Sequence, residues 1–217
     1  MKYAVLGTGV VGHTLATALA SLGHQVRMGA RDRQNEKAAQ WAAATEGRTG
    51  HGGMAETADW ADRIIIAVNG ANILAAAEAI TPEAAAGKTV IDVTNPLDFS
   101  RGMPPILVPE LSNTTSAGEA LQAALPGAKV VKTLNTMNHE VMVDPGRVPG
   151  HHDIFLCGDD AGAKSEARAL LAEFGWTDPI DLGPLAAARG TEGLMPFWLR
   201  MWAAKGDVDF NYAIARR

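Results

Sequence analysis

Gly7-Thr8-Gly9-Val10-Val11-Gly12 follows directly on the apolar run at residues 3–6 and leads directly into an alanine- and leucine-rich stretch at residues 10–22. Alone, a G-x-G-x-x-G hexapeptide is a weak signal. Between a buried strand and a helix it is the fingerprint of a dinucleotide-binding βα turn. Gly7 supplies the tight turn, Gly9 lets the backbone approach a pyrophosphate, and Gly12 lets the helix pack closely on the strand. The free N–H groups and the dipole of that helix end favour phosphate. Thr8, Val10 and Val11 complete the expected cradle.

The rest of the chain alternates in the same way. Strands are expected at residues 25–29, 64–68, 89–93, 129–132, 153–157 and 179–182, with a short edge strand or loop at 48–53. Helices are expected at 34–45, 71–80, 115–124 and 161–174, and a final one at 185–204. The β-branched run Ile64-Ile65-Ile66 marks a central strand buried on both faces. Residues 97–113 are proline-rich and without periodicity, a long connection of the kind that carries function. Alternating strands and helices predict an α/β fold: a doubly wound parallel sheet of Rossmann type with a small C-terminal helical extension. Residues 1–140 are read as the dinucleotide-binding domain, and 141–217 as a small C-terminal α/β part packed on it.

Composition excludes other classes. The chain has 217 residues, enough for one such domain and an extension but tight for two independent ones. A net charge of −5 without a basic cluster argues against nucleic-acid and anionic-membrane partners. Cys157 is the only cysteine, which excludes an internal disulfide, and its apolar surroundings suit a small buried hydrophobe. No apolar run is long enough to cross a bilayer, and the chain runs from Met1 straight into the first strand, so a cytoplasmic location is expected.

The end of the second strand selects the dinucleotide. NAD-preferring sites place an acid there for the ribose 2′-hydroxyl. Here the strand ends Met28-Gly29-Ala30, and Arg31 follows at once. A carboxylate would repel a 2′-phosphate, whereas a guanidinium holds it with paired charge-assisted bonds. NADP(H) is therefore expected, with Ala30, Arg31, Arg33 and the weaker cation Lys37 at the phosphate. Asp32, flanked by the two arginines, would be a ribose acid only in a shifted register. Ligands lie beyond the carboxyl ends of parallel strands, which adds Ala67, Val68 and Asn69 after the fourth strand and Asn95 and Pro96 after the fifth.

The chain resembles the F420-dependent NADP reductase family. The matching stretches are the glycine loop, Gly29-Ala30-Arg31-Asp32, Val90-Ile91-Asp92-Val93-Thr94-Asn95-Pro96-Leu97, Val130-Val131-Lys132-Thr133-Leu134-Asn135-Thr136-Met137, Cys157-Gly158-Asp159-Asp160 and Asp181-Leu182-Gly183-Pro184-Leu185. They occur in the family's order and span nearly the whole chain. The resemblance implies a Rossmann domain with a small C-terminal part, a homodimer, and hydride transfer between NADPH and a flavin-like or deazaflavin (F420) co-substrate. It also implies that the strand carrying Asn135-Thr136-Met137 faces the nicotinamide and the acceptor. F420-using members carry a histidine at Asn135 and a serine at Ala30. At Asn135 the N-terminal domains of ferric reductases are closer to this chain.

Hydride transfer to such a ring needs face-to-face positioning and exclusion of water more than a dedicated acid–base pair. Asn135 and His139 are the candidates for any direct catalytic part, His139 as a proton donor. The spacing of His151-His152-Asp153 fits no well-marked metal motif, so no metal is expected. Asp159-Asp160 reads as a helix cap. Met195, Phe197, Trp198, Met201, Trp202, Phe210 and Tyr212 crowd the C-terminal segment as core, dimer interface or wall of an acceptor pocket. Two other functions remain open at this point. One is reduction of a small imine or carbonyl, which would want a proton donor such as His139 or one of the two tyrosines; the other is a non-catalytic NADP-binding sensor or partner subunit.

Overall fold

A computed structural model describes residues 1–215. Ten strands alternate with ten α-helices among those residues. They are β1 (Lys2–Leu6), α1 (Val10–Ser21), β2 (Gln25–Ala30), α2 (Glu36–Ala44), β3 (Thr49–Gly53), α3 (Met54–Trp60), β4 (Arg63–Ile66), α4 (Ile73–Ile80), α5 (Pro82–Ala85) and β5 (Thr89–Asp92). There follow β6 (Leu97–Asp98), β7 (Ile106–Leu107), α6 (Ala117–Ala124), β8 (Lys129–Thr133), α7 (His139–Val143), β9 (Phe155–Gly158), α8 (Ala161–Glu173), β10 (Ile180–Asp181), α9 (Ala188–Gly193) and α10 (Met195–Lys205).

Eight strands make one sheet in the order β10-β9-β8-β5-β4-β1-β2-β3, and helices cover both faces. Side chains alternate across each central strand. Val5, Ile65, Ile91 and Val131 enter the core on one face with Leu15, Leu19, Trp41 and Leu170. Leu6, Ile64, Ile66, Val90 and Val130 enter the core on the other with Ile73, Ile80 and Leu121. The chain moves outward from β1 through β2 to β3, then returns to β4 and continues to β5 and β8. The order thus reverses between β1 and β4, which opens a crevice at their carboxyl ends.

The doubly wound α/β expectation holds, with local differences. The sheet is mostly rather than wholly parallel: β9 runs antiparallel to β8, with Lys132 opposite Cys157. Thr49–Gly53 is a paired edge strand against β2. The helices α3 and α7 are too short for a periodic signal. The connection at 97–113 holds the antiparallel hairpin β6–β7. The final helix is broken in three: a 3-10 turn Leu185–Ala187, α9, and α10, which restarts with Pro196 in its first turn, where a missing N–H costs nothing. Asp160 caps α8 by accepting from the Ala163 N–H, while Asp159 accepts instead from the Leu185 N–H and so anchors that 3-10 turn.

The segment after α10 is strapped back onto the sheet. Asp153 donates its N–H to the Tyr212 carbonyl and accepts from the Ile214 N–H, and Arg147 pairs with Asp209. Phe210 stacks on Trp198 with ring centroids 5.1 Å apart.

Cys157 is fully buried in β9, and its thiol donates weakly to the Leu185 carbonyl. Burial pushes the thiol up to about 12, with the Lys132 charge opposing the rise. At pH 8 the group is therefore a thiol, not the nucleophilic thiolate. Ellman's reagent should react with the native protein at least about a hundredfold more slowly than with the denaturant-unfolded chain. Equal rates would mean that β9 is not packed as described.

Candidate functional site

The glycines of the first turn play different parts. Gly7 adopts φ +131°, and a Cβ there would strike the Ala67 carbonyl. A Cβ on Gly12 would strike the Gly7 carbonyl, so α1 can lie this close to β1 only without a side chain. Gly9 differs: nothing lies within 4 Å of the position its Cβ would take. No protein atom requires glycine at that position, yet a side chain there would project into open space at the mouth of α1. Gly9 is also the N-cap of α1, and no side chain caps the helix. Its first N–H groups are free for an anion.

Two clefts meet at this mouth. The first, of about 530 Å³, is lined by Gly7, Thr8 and Gly9, by Ala30, Arg31 and Asp32 after β2, and by Ala67, Val68 and Asn69 after β4. Asn35, Met54, Asn72, Ala75 and Ala76 complete it. Arg31 is exposed at its rim. The Asp32 carboxylate turns back to accept from the Gln34 N–H at 2.9 Å. Arg33 lies outside this lining and pairs with Glu56 at 3.2 Å, both side chains well exposed. Lys37 lines a neighbouring groove with His13, Thr14, Trp41 and His139.

The second cleft, of about 440 Å³, shares Gly9, Ala67, Val68 and Asn69 with the first. It continues past Val10 and Val11 to Val93, Thr94 and Asn95 after β5, and to Met137, Asn138, His139 and Met142 around the start of α7. Leu97, Phe99, Met195 and Trp198 close it. Among the described lining residues none is Lys, Arg, Asp, Glu or Tyr, and one, His139, is a histidine. Its Nδ1 lies 2.9 Å from the Thr14 hydroxyl of α1.

Asn135 and Pro96 support the second cleft from behind. Asn135 is buried and bonds Asn95 twice: its side-chain Nδ2 donates to Asn95 Oδ1 at 2.9 Å, and its main-chain carbonyl accepts from Asn95 Nδ2 at 2.8 Å. The preceding Leu134 holds φ +64°, a left-handed conformation that costs a side-chain-bearing residue about 1–3 kcal/mol. Buried Pro96 accepts the Val108 N–H and so anchors the β6–β7 hairpin.

Beneath Thr94 lies a buried charge network. Lys132 in β8 has no exposed surface on its side chain. Its ammonium donates to Asp92 Oδ2 at 2.9 Å and to the Thr94 carbonyl at 2.6 Å, and meets Glu192 Oε1 at 2.7 Å. All three protons are used. Asp92 Oδ1 accepts the Thr94 N–H, and Glu192 accepts the N–H groups of Ala117 and Gly118 at the start of α6. Burial by itself would lower the Lys132 ammonium, but the charges of Asp92 and Glu192 outweigh it and hold it above the usual lysine range. Burial raises the Glu192 carboxyl. The signal for this cluster was two charges set in otherwise apolar strands, in Val90-Ile91-Asp92-Val93 and Val130-Val131-Lys132. Glu192 carried none. Among the described residues no three His, Cys, Asp or Glu side chains group as metal ligands, and no helix is long and apolar enough to cross a membrane.

The chain matches the model of the family described as NADP oxidoreductase, coenzyme F420-dependent, over residues 2–96. It is 48% identical to a crystallised protein of Arthrobacter sp. FB24 assigned as an F420-dependent NADP reductase, with a TM-score of 0.93 and 100% of each chain covered. The F420-dependent NADP reductase of Methanothermobacter marburgensis is 28% identical over 208 residues, 93% of this chain and 92% of that one. Metalloreductase STEAP3 of Rattus norvegicus is 32% identical over 117 residues, which are 52% of this chain but only 22% of the relative.

Replacing Lys132 with Met leaves Asp92 and Glu192 buried without their cation. The variant should lose about 3–5 kcal/mol of unfolding free energy in denaturant titration. A loss under about 1 kcal/mol would show that water reaches these carboxylates.

Proposed function

Since the chain belongs to the coenzyme F420-dependent NADP oxidoreductase family, we propose that it transfers hydride between NADP(H) in the first cleft and a flavin-like or deazaflavin ring in the second. The carrying observation is the pair of joined clefts: one has an open glycine mouth and an arginine rim, and the other is apolar and free of formal charge. When bound, the nicotinamide supplies the hydride chemistry. The chain's own residues bind, orient and exclude water.

In this reading Gly7, Thr8, Gly9 and the free end of α1 hold the pyrophosphate. Arg31 holds the 2′-phosphate. Arg33 joins it only by giving up Glu56, a swap that costs little, because exposed ion pairs contribute at most about 1 kcal/mol. Lys37 reaches the phosphate from the neighbouring groove. Asn69 lines the seam between the clefts, Asn95 lines the second, and Asn135 fixes Asn95 in place. His139, held by Thr14, is the proton donor available to the second cleft. The apolar lining supports a flat, neutral ring and disfavours an iminium, for which a carboxylate or tyrosine would be wanted. Phe197, Trp202 and Met103 are exposed apolar side chains, and they support pairing of two copies into a homodimer.

Three arms test this reading. NADPH should bind at least about tenfold more tightly than NADH, and Arg31→Ala should erase most of the difference. Gly9→Ala has room to fold, so it should keep its melting temperature and lose NADPH affinity. Gly12→Ala should instead lower the melting temperature. Wild-type protein should then oxidise NADPH with F420, FMN or riboflavin. Equal NADPH and NADH affinities would overturn the cofactor assignment, and tight NADPH binding without turnover on that panel would overturn the acceptor.

A further inference from the structure

Four buried side-chain polar atoms among the described residues have no hydrogen-bond partner, and two of them belong to residues that line the second cleft: Thr94 Oγ1 and Trp198 Nε1. Thr94 is 3% exposed and Trp198 is 5% exposed. A buried donor left unpaired costs about 1–3 kcal/mol, so two at one cleft call for an explanation. We propose that Thr94 and Trp198 are the donor pair that orients the hydride acceptor, by giving hydrogen bonds to carbonyl oxygens on the edge of its ring. This rests on the acceptor reading above and assigns it two specificity-determining residues.

Both donors are rigidly mounted. The backbone of Thr94 is pinned on both sides, its N–H by Asp92 and its carbonyl by Lys132. Only the hydroxyl is left over. The Trp198 ring is stacked on Phe210 and tilted against Trp202 at 6.0 Å. Phe210 belongs to the strap that Asp153 and Arg147 hold down. The two mounts are also tied together, because Lys132 bonds the Thr94 carbonyl and pairs with Glu192 of α9, the helix just before the one that carries Trp198. Preorganised donors in an apolar wall favour a neutral ligand with accepting lone pairs. The pyrimidinedione edge of a flavin or deazaflavin has two carbonyl oxygens. A protonated imine offers a donor instead: the Thr94 hydroxyl could accept from it, but the Trp198 indole N–H would stay unpaired.

The test uses full-length protein labelled with 15N in its five tryptophans. The Trp198 indole signal is identified by its absence in Trp198→Phe. Riboflavin, FMN and F420 are added separately, each also with NADPH. With the acceptor that supports turnover, the Trp198 indole proton should move downfield, and NADPH alone should not move it. Thr94→Val and Trp198→Phe should each raise the acceptor KM at least about fivefold and leave NADPH affinity within about twofold. Thr94→Ser keeps the hydroxyl and should keep the wild-type KM. A stationary indole signal at saturating acceptor while turnover proceeds would overturn the pairing, as would wild-type KM in both variants. Loss of NADPH affinity in both would also overturn it, since the residues would then serve the cofactor or the fold. If the wild type turns over none of the three acceptors, the proposed function itself falls, and this inference with it.

Discussion

The buried ammonium of Lys132 is the contact through which the sheet, the C-terminal helices and the strand ends become one object. Three charges that lie out of water each carry a desolvation cost of several kcal/mol, offset only when every proton and lone pair finds a partner. Here they do. Asp92 and Thr94 belong to the end of β5, Lys132 to β8 and Glu192 to α9, and Glu192 also satisfies the first N–H groups of α6. An apolar trio of the same volume could stabilise the core as well or better. It could not fix the Thr94 carbonyl at a set distance from α9. The network is best understood as a positioning device: the sheet side and the helix side of the second cleft hang from one side chain.

The glycines obey a complementary rule. Gly7, Gly12, Gly29 and Gly70 are small because other protein atoms occupy the space of a Cβ: the Ala67 carbonyl, the Gly7 carbonyl, a Leu6 methyl and the Asn95 carbonyl. Their job is close packing of strand ends and helix starts around the switch point. Gly9 is small although nothing touches it. A side chain there would meet only what enters the cleft. The contrast separates a packing demand from a ligand demand within one hexapeptide, which the motif alone cannot do.

Much of this was legible in the sequence. Continuous β-branched runs announce strands buried on both faces, and the glycine hexapeptide set between a strand and a helix announces the first turn. What stayed hidden was long-range or short. An apolar run does not encode its direction, so the antiparallel β9 could not be read from it. The five residues of α7 span little more than one helical turn, too few for a period to show. Nothing in the sequence marks Glu192, which is nearly fully buried against Lys132, sixty residues away in the chain. Arg33 looked like a second phosphate cation, and its pairing with Glu56 across 23 positions of chain was invisible. The hydrogen bond from the Asn135 side chain to Asn95 Oδ1, forty residues away in the chain, was likewise invisible.

The division between the two clefts limits how protons can accompany hydride. In the first cleft charge is welcome: free helix N–H groups and Arg31 suit phosphates. In the second no described lining residue is Lys, Arg, Asp or Glu, and most of the lining is apolar. In the proposed reaction a ring that gains hydride there gains negative charge where no described lining residue is Lys or Arg. It must be neutralised by a proton or stabilised by donors at the oxygens where the charge collects. His139 is the histidine of the lining and the proposed donor for the first task. It sits on the α1 side and is tied to Thr14. In the proposed reading Thr94 and Trp198 serve the second task, on walls tied to the Lys132 network and the C-terminal strap. Proton supply from one side and oxyanion stabilisation from the other is an arrangement that a neutral ring with carbonyls can use. A small cationic substrate would find no counter-charge in it.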